Sequence, residues 1–523
     1  MRGTPAEYVV TKGLRLLAWG TGMLILIWLL TNAVLSGTSA ALIWLGLGLA
    51  MLVTVVATLH DWRSAFYIFL LWLLFEDLAR KYLGNNMVIY FGKDVLAGVA
   101  YFSFFWVLSR SRERSFRPPF SLPLFLFVCL GIIQVANPSS PSMLYGLLGL
   151  KLYFYYIPLM FLGHALVRST KDLERFLTAN LAVAGVVALV GIIQVTVKSD
   201  FLNPKTLAPE LQLLGHLVRV APGSGAQVLR PVSVFVSDGR FAAYLYLMFV
   251  LGLGIAGAQW LGSKRARRLG LIALGLIATG ILLSGSRGSL MNSLGSSMVL
   301  VAVFLWGASG RHSQRSSVVL ATQRILASVG AVLLVVLLFV PEAVGARWSF
   351  YYETLAPSSP WSEAVYRSRD YPIAQFLKAF SHPEWPFGYG IGTASLGGQY
   401  ITSRLGAPAS GVGVESGYGN LIVEMGILGL VLWLGWTIAL LVSGWRVIRR
   451  LKGTLFFPVG FAIWWFAFML LFPYTYGGLQ GYQNFILNAY FWLLVGVMFR
   501  LPSLLQGGGS AWSHLGLTDT DGR

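Results

Sequence analysis

The chain has 523 residues, 56% hydrophobic and only 11% charged, yet its formal net charge is +19. A soluble domain carries roughly 25% charged residues, so this composition, with a mean hydropathy of +0.69, excludes an ordinary soluble enzyme and indicates a polytopic membrane protein. The single cysteine, Cys129, excludes an internal disulfide and argues against a cysteine metal cluster.

Apolar runs of about 17 to 25 residues recur along the chain, each long enough to cross a roughly 30 Å hydrocarbon core as a helix. The predicted fold is all-α, with about fourteen spans. They fall near 14–35, 40–58, 64–79, 93–108, 121–136, 144–167, 175–197, 240–260, 266–283, 288–308, 322–341, 419–445, 455–473 and 484–500. The first, LRLLAWGTGMLILIWLLTNAVL, is too long for a signal-peptide core and has no small-residue cleavage site, so it reads as a span.

With the N-terminus inside, five short loops fall on the cytoplasmic side: RSRERSFR (110–117), RSTKDLER (168–175), SKRARR (263–268), RHSQR (311–315) and RVIRRLK (446–452). All are basic, which is the positive-inside pattern. They read as topology signals touching anionic lipid, and no nucleic-acid partner is expected. Both termini are then cytoplasmic. The expected organisation is N-terminal transmembrane helices over 1–197 and a central transmembrane region with an outer loop over 198–341. A large outer loop follows over 342–418, then C-terminal helices over 419–500 and a cytoplasmic tail over 501–523.

The loop at 342–418 is too long and too rich in aromatic and charged residues for a plain connection. Its segment SEAVYRSRDYPIAQFLKAF (362–380) predicts a short helix on the outer membrane surface, interrupted at Pro372. SHPEWPFGYGIGTAS (381–395) predicts turns and close backbone approaches.

Three stretches carry candidate chemistry. LLSGSRGSL (282–290) sets Arg287 between two apolar runs, among small residues that let a ligand approach the backbone. A snorkelling interface arginine is the plain alternative. However, positive-inside statistics disfavour outer arginines, and Lys198, Lys205, Arg219, Arg230, Arg240, Arg347, Arg367, Arg369, Lys378 and Arg404 all fall on or near that face. Such a set suits an anionic ligand, and a guanidinium fork matches phosphate oxygens. GVGVESGYGNLIVEMGILGLVLWLG (411–435) brings Glu415 and Glu424 to the mouth of a span, where acids are expensive and usually face a polar cavity. Nine residues apart, the two need not face one site. Glu424 reads as a structural hydrogen-bond partner in the bundle, and Glu415 stays open between structure and function. His216 and His382 are isolated and read as ordinary loop residues, and no metal-spaced cluster is apparent on this face.

In their order and spacing, LLSGSRGSL, the large loop ending in PFGYGIGTAS, and ESGYGNLIVEMGILGL resemble the O-antigen ligase and Wzy-type polymerase superfamily. The likeness is strongest over about 230–445 and looser at GLLGLKLYFYYIPLMFLGHAL (146–166), similar to that family's lysine- and tyrosine-bearing span. The resemblance implies a metal-independent, cofactor-free glycosyltransferase of the bacterial inner membrane, working at the periplasmic face. Its donor would be a polyprenyl-pyrophosphate-linked oligosaccharide and its acceptor a sugar hydroxyl, with membrane lipids, chain-length regulators or export proteins as partners. Arg287 matches the family arginine that binds the donor pyrophosphate, and Arg230 or Arg240 could match one further upstream. Arg367, Arg369, Arg404, Lys151 and Tyr418 complete the candidate substrate-binding set. Where ligases usually carry histidine this chain has Glu415, which makes it a candidate general base and favours a polymerase of repeat units over a ligase acting on lipid A-core. A lipid-linked glycan flippase or other transporter is the alternative of another class. It would more often show paired halves and mid-membrane ionisable residues.

Overall fold

The computed structural model describes residues 61–85, 87–110, 116–204, 218–258, 264–307, 312–395, 398, 408 and 411–507. The two spans expected near 14–35 and 40–58 lie outside the described residues, as do Lys205, His216, Arg404 and the tail from 508. Eight of the described helices are long and apolar enough to cross a membrane, or up to nine if a bent pair counts as one span. By helix length and hydropathy the chain is a multi-pass, all-α membrane protein.

In chain order the helices are α1 (Trp62–Leu83), α2 (Met87–Arg110), α3 (Ser121–Val135), α4 (Met143–Phe154), α5 (Leu159–Leu166) and α6 (Thr170–Thr196). After a small hairpin come α7 (Asp238–Ala258), α8 (Lys264–Leu283), α9 (Arg287–Gly307), α10 (His312–Phe339) and α11 (Pro341–Leu355). A π-helical turn, Tyr366–Asp370, leads into α12 (Tyr371–Ala379), followed by α13 (Gly417–Leu451), α14 (Phe457–Met469) and α15 (Phe485–Gly507).

Every span expected from residue 64 onward coincides with a helix, but several differ in detail. α3 has only 15 residues, and α1 and α8 are not among the eight that meet the length and hydropathy requirement. The run expected at 144–167 is one of the eight candidate spans, Met143–Leu166, within which a stretch of turns at Tyr155–Pro158 separates α4 from α5, because proline lacks the N–H that continues a helix. α10 and α11 bend by 114° at their junction, where Pro341 opens the second helix. The basic run RVIRRLK is the end of α13 rather than a loop; Arg449 and Arg450 lie in the last turn, where cations oppose the negative end of the helix dipole. The basic run expected as a loop at 168–175 is mostly the start of α6, which opens with a capping box in which Ser169 Oγ accepts from Asp172 N–H and the Asp172 carboxylate accepts from Ser169 N–H.

The chain divides into two compact units, residues 1–76 with 86–115, and residues 77–85 with 116–523. Within the first, Lys93 Nζ and Glu76 Oε2 form a fully buried pair at 2.8 Å, and Trp62 meets Phe104 edge to face at 5.1 Å. In the second unit α5 packs on α15, α6 on α8, α3 on α13, and α7 on α14, α8 and α9. Its interior is aromatic: Tyr153, Trp433, Trp436, Tyr482 and Trp492 are buried and in mutual ring contact.

Two non-helical features shape this unit. The hairpin pairs Val218–Val220 with Gln227–Leu229 antiparallel, Arg219 opposite Val228, and the sequence reading did not anticipate it. The second is a break in α13 at Gly426, where φ is 70° and ψ is −174°. Residues 386–390 fill the break: Tyr389 N–H donates to Val423 O at 2.7 Å, Gly390 N–H to Glu424 O at 3.0 Å, and Ile427 N–H to Pro386 O at 3.2 Å. The backbone groups released by the break are thus satisfied inside the protein, as an apolar surrounding demands. The close approaches expected of 381–395 are these contacts, with Gly388, Gly390 and Gly392 all at positive φ.

Candidate functional site

Arg287 is the first residue of α9. The chain turns from α8 into α9 through Ser284, Gly285 and Ser286. Gly285 has φ of 67°, a conformation side chains resist. Ser284 Oγ donates to Ile281 O at 2.6 Å and accepts from Ser286 N–H, while Ser286 Oγ accepts from Ser289 N–H at 3.4 Å and so caps α9. The end of α8 is fixed from below. Arg347 donates through Nε to Leu283 O at 2.8 Å, and through its other nitrogens to Ala343 O and Leu229 O. Tyr351 OH donates to Leu282 O at 3.0 Å. Ala221, Val228, Phe350 and Tyr351 form a small apolar core here, packed against Leu282 and Leu290. Arg347, counted with the ligand-seeking basic residues by sequence, is therefore a buried tie between the hairpin, α8 and α11.

Above that support the charged side chains form a continuous series. Arg287, 30% exposed, places Nη1 3.2 Å from Glu363 Oε2, and its guanidinium carbon lies 5.7 Å from the Phe350 ring centre. The same carboxylate oxygen takes Arg367 Nε at 3.3 Å. Arg367 lies over the Tyr371 ring at 4.9 Å, and the neighbouring Glu415 carboxylate pushes the Tyr371 phenol's pKa up. Glu415 itself is exposed, just before the Ser416 cap of α13, with its N–H held by Gln375 Oε1 at 3.2 Å. The series thus runs Arg287, Glu363, Arg367, Tyr371, Glu415. Arg230 runs alongside Gly285: a Cβ on that glycine would stand 3.2 Å from Arg230 Cγ. Arg230 is paired with Asp238, and burial first, then neighbouring Arg219, draws its pKa down against the pull of that aspartate.

Of the residues singled out by sequence, Arg287, Arg367 and Glu415 come together, with Arg230 beside them. Others are engaged elsewhere. Arg240 is gripped by Asp77, its Nη1 2.8 and 2.7 Å from the two carboxylate oxygens, and Arg80 shares that aspartate at 3.1 Å. Both upstream arginines considered are paired with an aspartate, Arg230 with Asp238 and Arg240 with Asp77, and Arg230 is the one that runs alongside the Gly285 turn. Arg369 is exposed and paired with Asp370 at 2.7 Å, which raises its pKa. Tyr418 OH donates to Leu471 O at 3.3 Å. Lys151 lies in the last turn of α4.

Glu424 has a different role from Glu415. It is fully buried, and accepts from Tyr153 OH at 2.7 Å and from Ala394 N–H at 3.0 Å. It pins α4 and the 386–395 segment to α13 just before the break. Glu363, the hinge of the charged series, was not singled out from sequence. Its i to i+4 spacing to Arg367 was the available signal.

Fixed guanidinium groups beside an exposed carboxylate can bind a multiply charged phosphate and take a proton from a neutral hydroxyl. Comparison of the chain with protein-family models and with curated proteins finds no match.

Proposed function

We propose that the protein is a membrane glycosyltransferase that polymerises polyprenyl-pyrophosphate-linked oligosaccharide repeat units at the periplasmic face of the bacterial inner membrane. The chain crosses about fourteen times with both termini cytoplasmic, and 342–418 faces the periplasm. The observation that carries the reading is the series from Arg287 through Glu363, Arg367 and Tyr371 to Glu415, with Arg230 beside it. Arg287, Arg367 and Arg230 hold the donor pyrophosphate. The acceptor hydroxyl oxygen attacks the anomeric carbon of the donor sugar, and its proton passes to Glu415. The bond from that carbon to the phosphate oxygen breaks, and the arginines stabilise the charge that develops on the departing polyprenyl pyrophosphate. A ligase would use the same donor site and differ in its acceptor.

The test is polymer formation from a lipid-linked repeat unit by purified protein. Arg287→Ala is expected to abolish it at normal protein level. Arg287→Lys should recover only part, since an ammonium keeps the charge but loses the two-pronged donor geometry. Full activity in the lysine variant would remove the bidentate role.

A further inference from the structure

Glu363 sits where a ligand would have to go. One of its carboxylate oxygens is shared by Arg287 Nη1 at 3.2 Å and Arg367 Nε at 3.3 Å, and its side chain is 45% exposed. Its backbone is fixed, N–H to Thr354 O at 3.1 Å and O from Arg367 N–H at 2.8 Å, so the side chain alone is free to move. We infer that Glu363 is a specificity-determining residue of the anion site, a built-in competitor that keeps singly charged phosphodiesters out and yields to a pyrophosphate. This inference rests on the reading of the site as a pyrophosphate site.

The argument follows from where the site would work. At a membrane surface, anionic phospholipid headgroups far outnumber any lipid-linked substrate, and each is a phosphodiester monoanion. Arg287 and Arg367 without the Glu363 counter-charge would fill with those headgroups. A monoanion that displaces the Glu363 carboxylate exchanges one negative charge for another and gains little. A pyrophosphate diester brings two charges and enough oxygens to engage Arg287 and Arg367 together, so it displaces a carboxylate whose exposed ion pairs are individually weak. After transfer, Glu363 returns to both guanidinium groups and helps the spent pyrophosphate leave.

The experiment uses full-length protein in nanodiscs of dioleoylphosphatidylcholine alone, or mixed with dioleoylphosphatidylglycerol, titrated with inorganic pyrophosphate by calorimetry. Wild type should bind with similar affinity in both. Glu363→Gln, which keeps the shape and removes the charge, should bind about tenfold tighter in the neutral discs and lose that gain in the anionic ones. Glu363→Ala should follow the same direction. The inference is overturned if neither variant binds tighter in neutral discs, or if phosphatidylglycerol weakens them no more than wild type. Arg287→Ala separates this from failure of the site itself: unchanged pyrophosphate binding in that variant would remove the pyrophosphate site, whatever Glu363 does.

Discussion

The Glu415 carboxylate is exposed and lies near the Tyr371 hydroxyl, whose pKa it raises. An accessible carboxylate at that place suits a proton acceptor. Glu415→Gln keeps shape and hydrogen bonding but removes basicity, so turnover should fall about 10²- to 10⁴-fold, the usual span for a general base, with pyrophosphate binding little changed. Glu415→Asp, one methylene shorter, should retain part of the activity. Normal turnover by the glutamine variant in a purified assay would reduce Glu415 to a polar residue ahead of the α13 cap. Arg287 and Glu415 stand out in the sequence because each breaks a local expectation, an arginine in a small-residue turn and an acid at the mouth of a span. Glu363 was not legible, because an acid four residues from an arginine is an ordinary helix-surface pair; only the fold reveals that Arg287, 76 positions earlier, meets the same oxygen. Arg347 misled for the converse reason: its charge suggested a ligand, whereas burial commits it to three backbone carbonyls.

At the scale of the element, helices were legible and their interruptions only partly so. Apolar runs mark the spans, and Pro158 and Pro341 lie where α5 and α11 begin. The break in α13 had no such mark, since a glycine within a membrane helix is common. Its cause is tertiary: residues 386–390 occupy the gap and replace the missing helical hydrogen bonds. Gly426→Ala would place a Cβ at φ of 70° and against the Pro386 carbonyl, and should cost about 1–3 kcal/mol, typical of a residue held in that region. Glu424→Ala would leave the Tyr153 hydroxyl and the Ala394 N–H without their acceptor, about 1–3 kcal/mol for each buried group. Both losses should appear as a lowered unfolding midpoint in detergent. A midpoint unchanged in both variants would mean that the broken helix is not fastened by these contacts.

For the whole molecule, the proposed function depends on which side of the membrane the arginine series faces, and that depends on parity. The described helices from α2 to α15 carry basic residues near alternate connections, at Arg168 before α6 with Lys171 and Arg175 in its first turns, at Arg267 and Arg268 early in α8, and at Arg446, Arg449 and Arg450 closing α13. Positive charge near span ends favours the cytoplasm, and these three places are separated from the 342–418 segment by an odd number of expected crossings. By the same expected count the arginines around Arg287 would oppose that bias, as a ligand-selected set should. Cysteine labelling decides the matter. In a Cys129→Ser background, Ser358→Cys lies on an exposed turn after α11 and should react with a membrane-impermeant maleimide from the periplasmic side of intact spheroplasts. Lys171→Cys, exposed at the start of α6, should react only after the membrane is opened. The reverse pattern would put the arginine series in the cytoplasm. A periplasmic lipid-linked glycan could not then be the substrate, and the anion held by Arg287 and Arg367 would have to come from the cytoplasmic side.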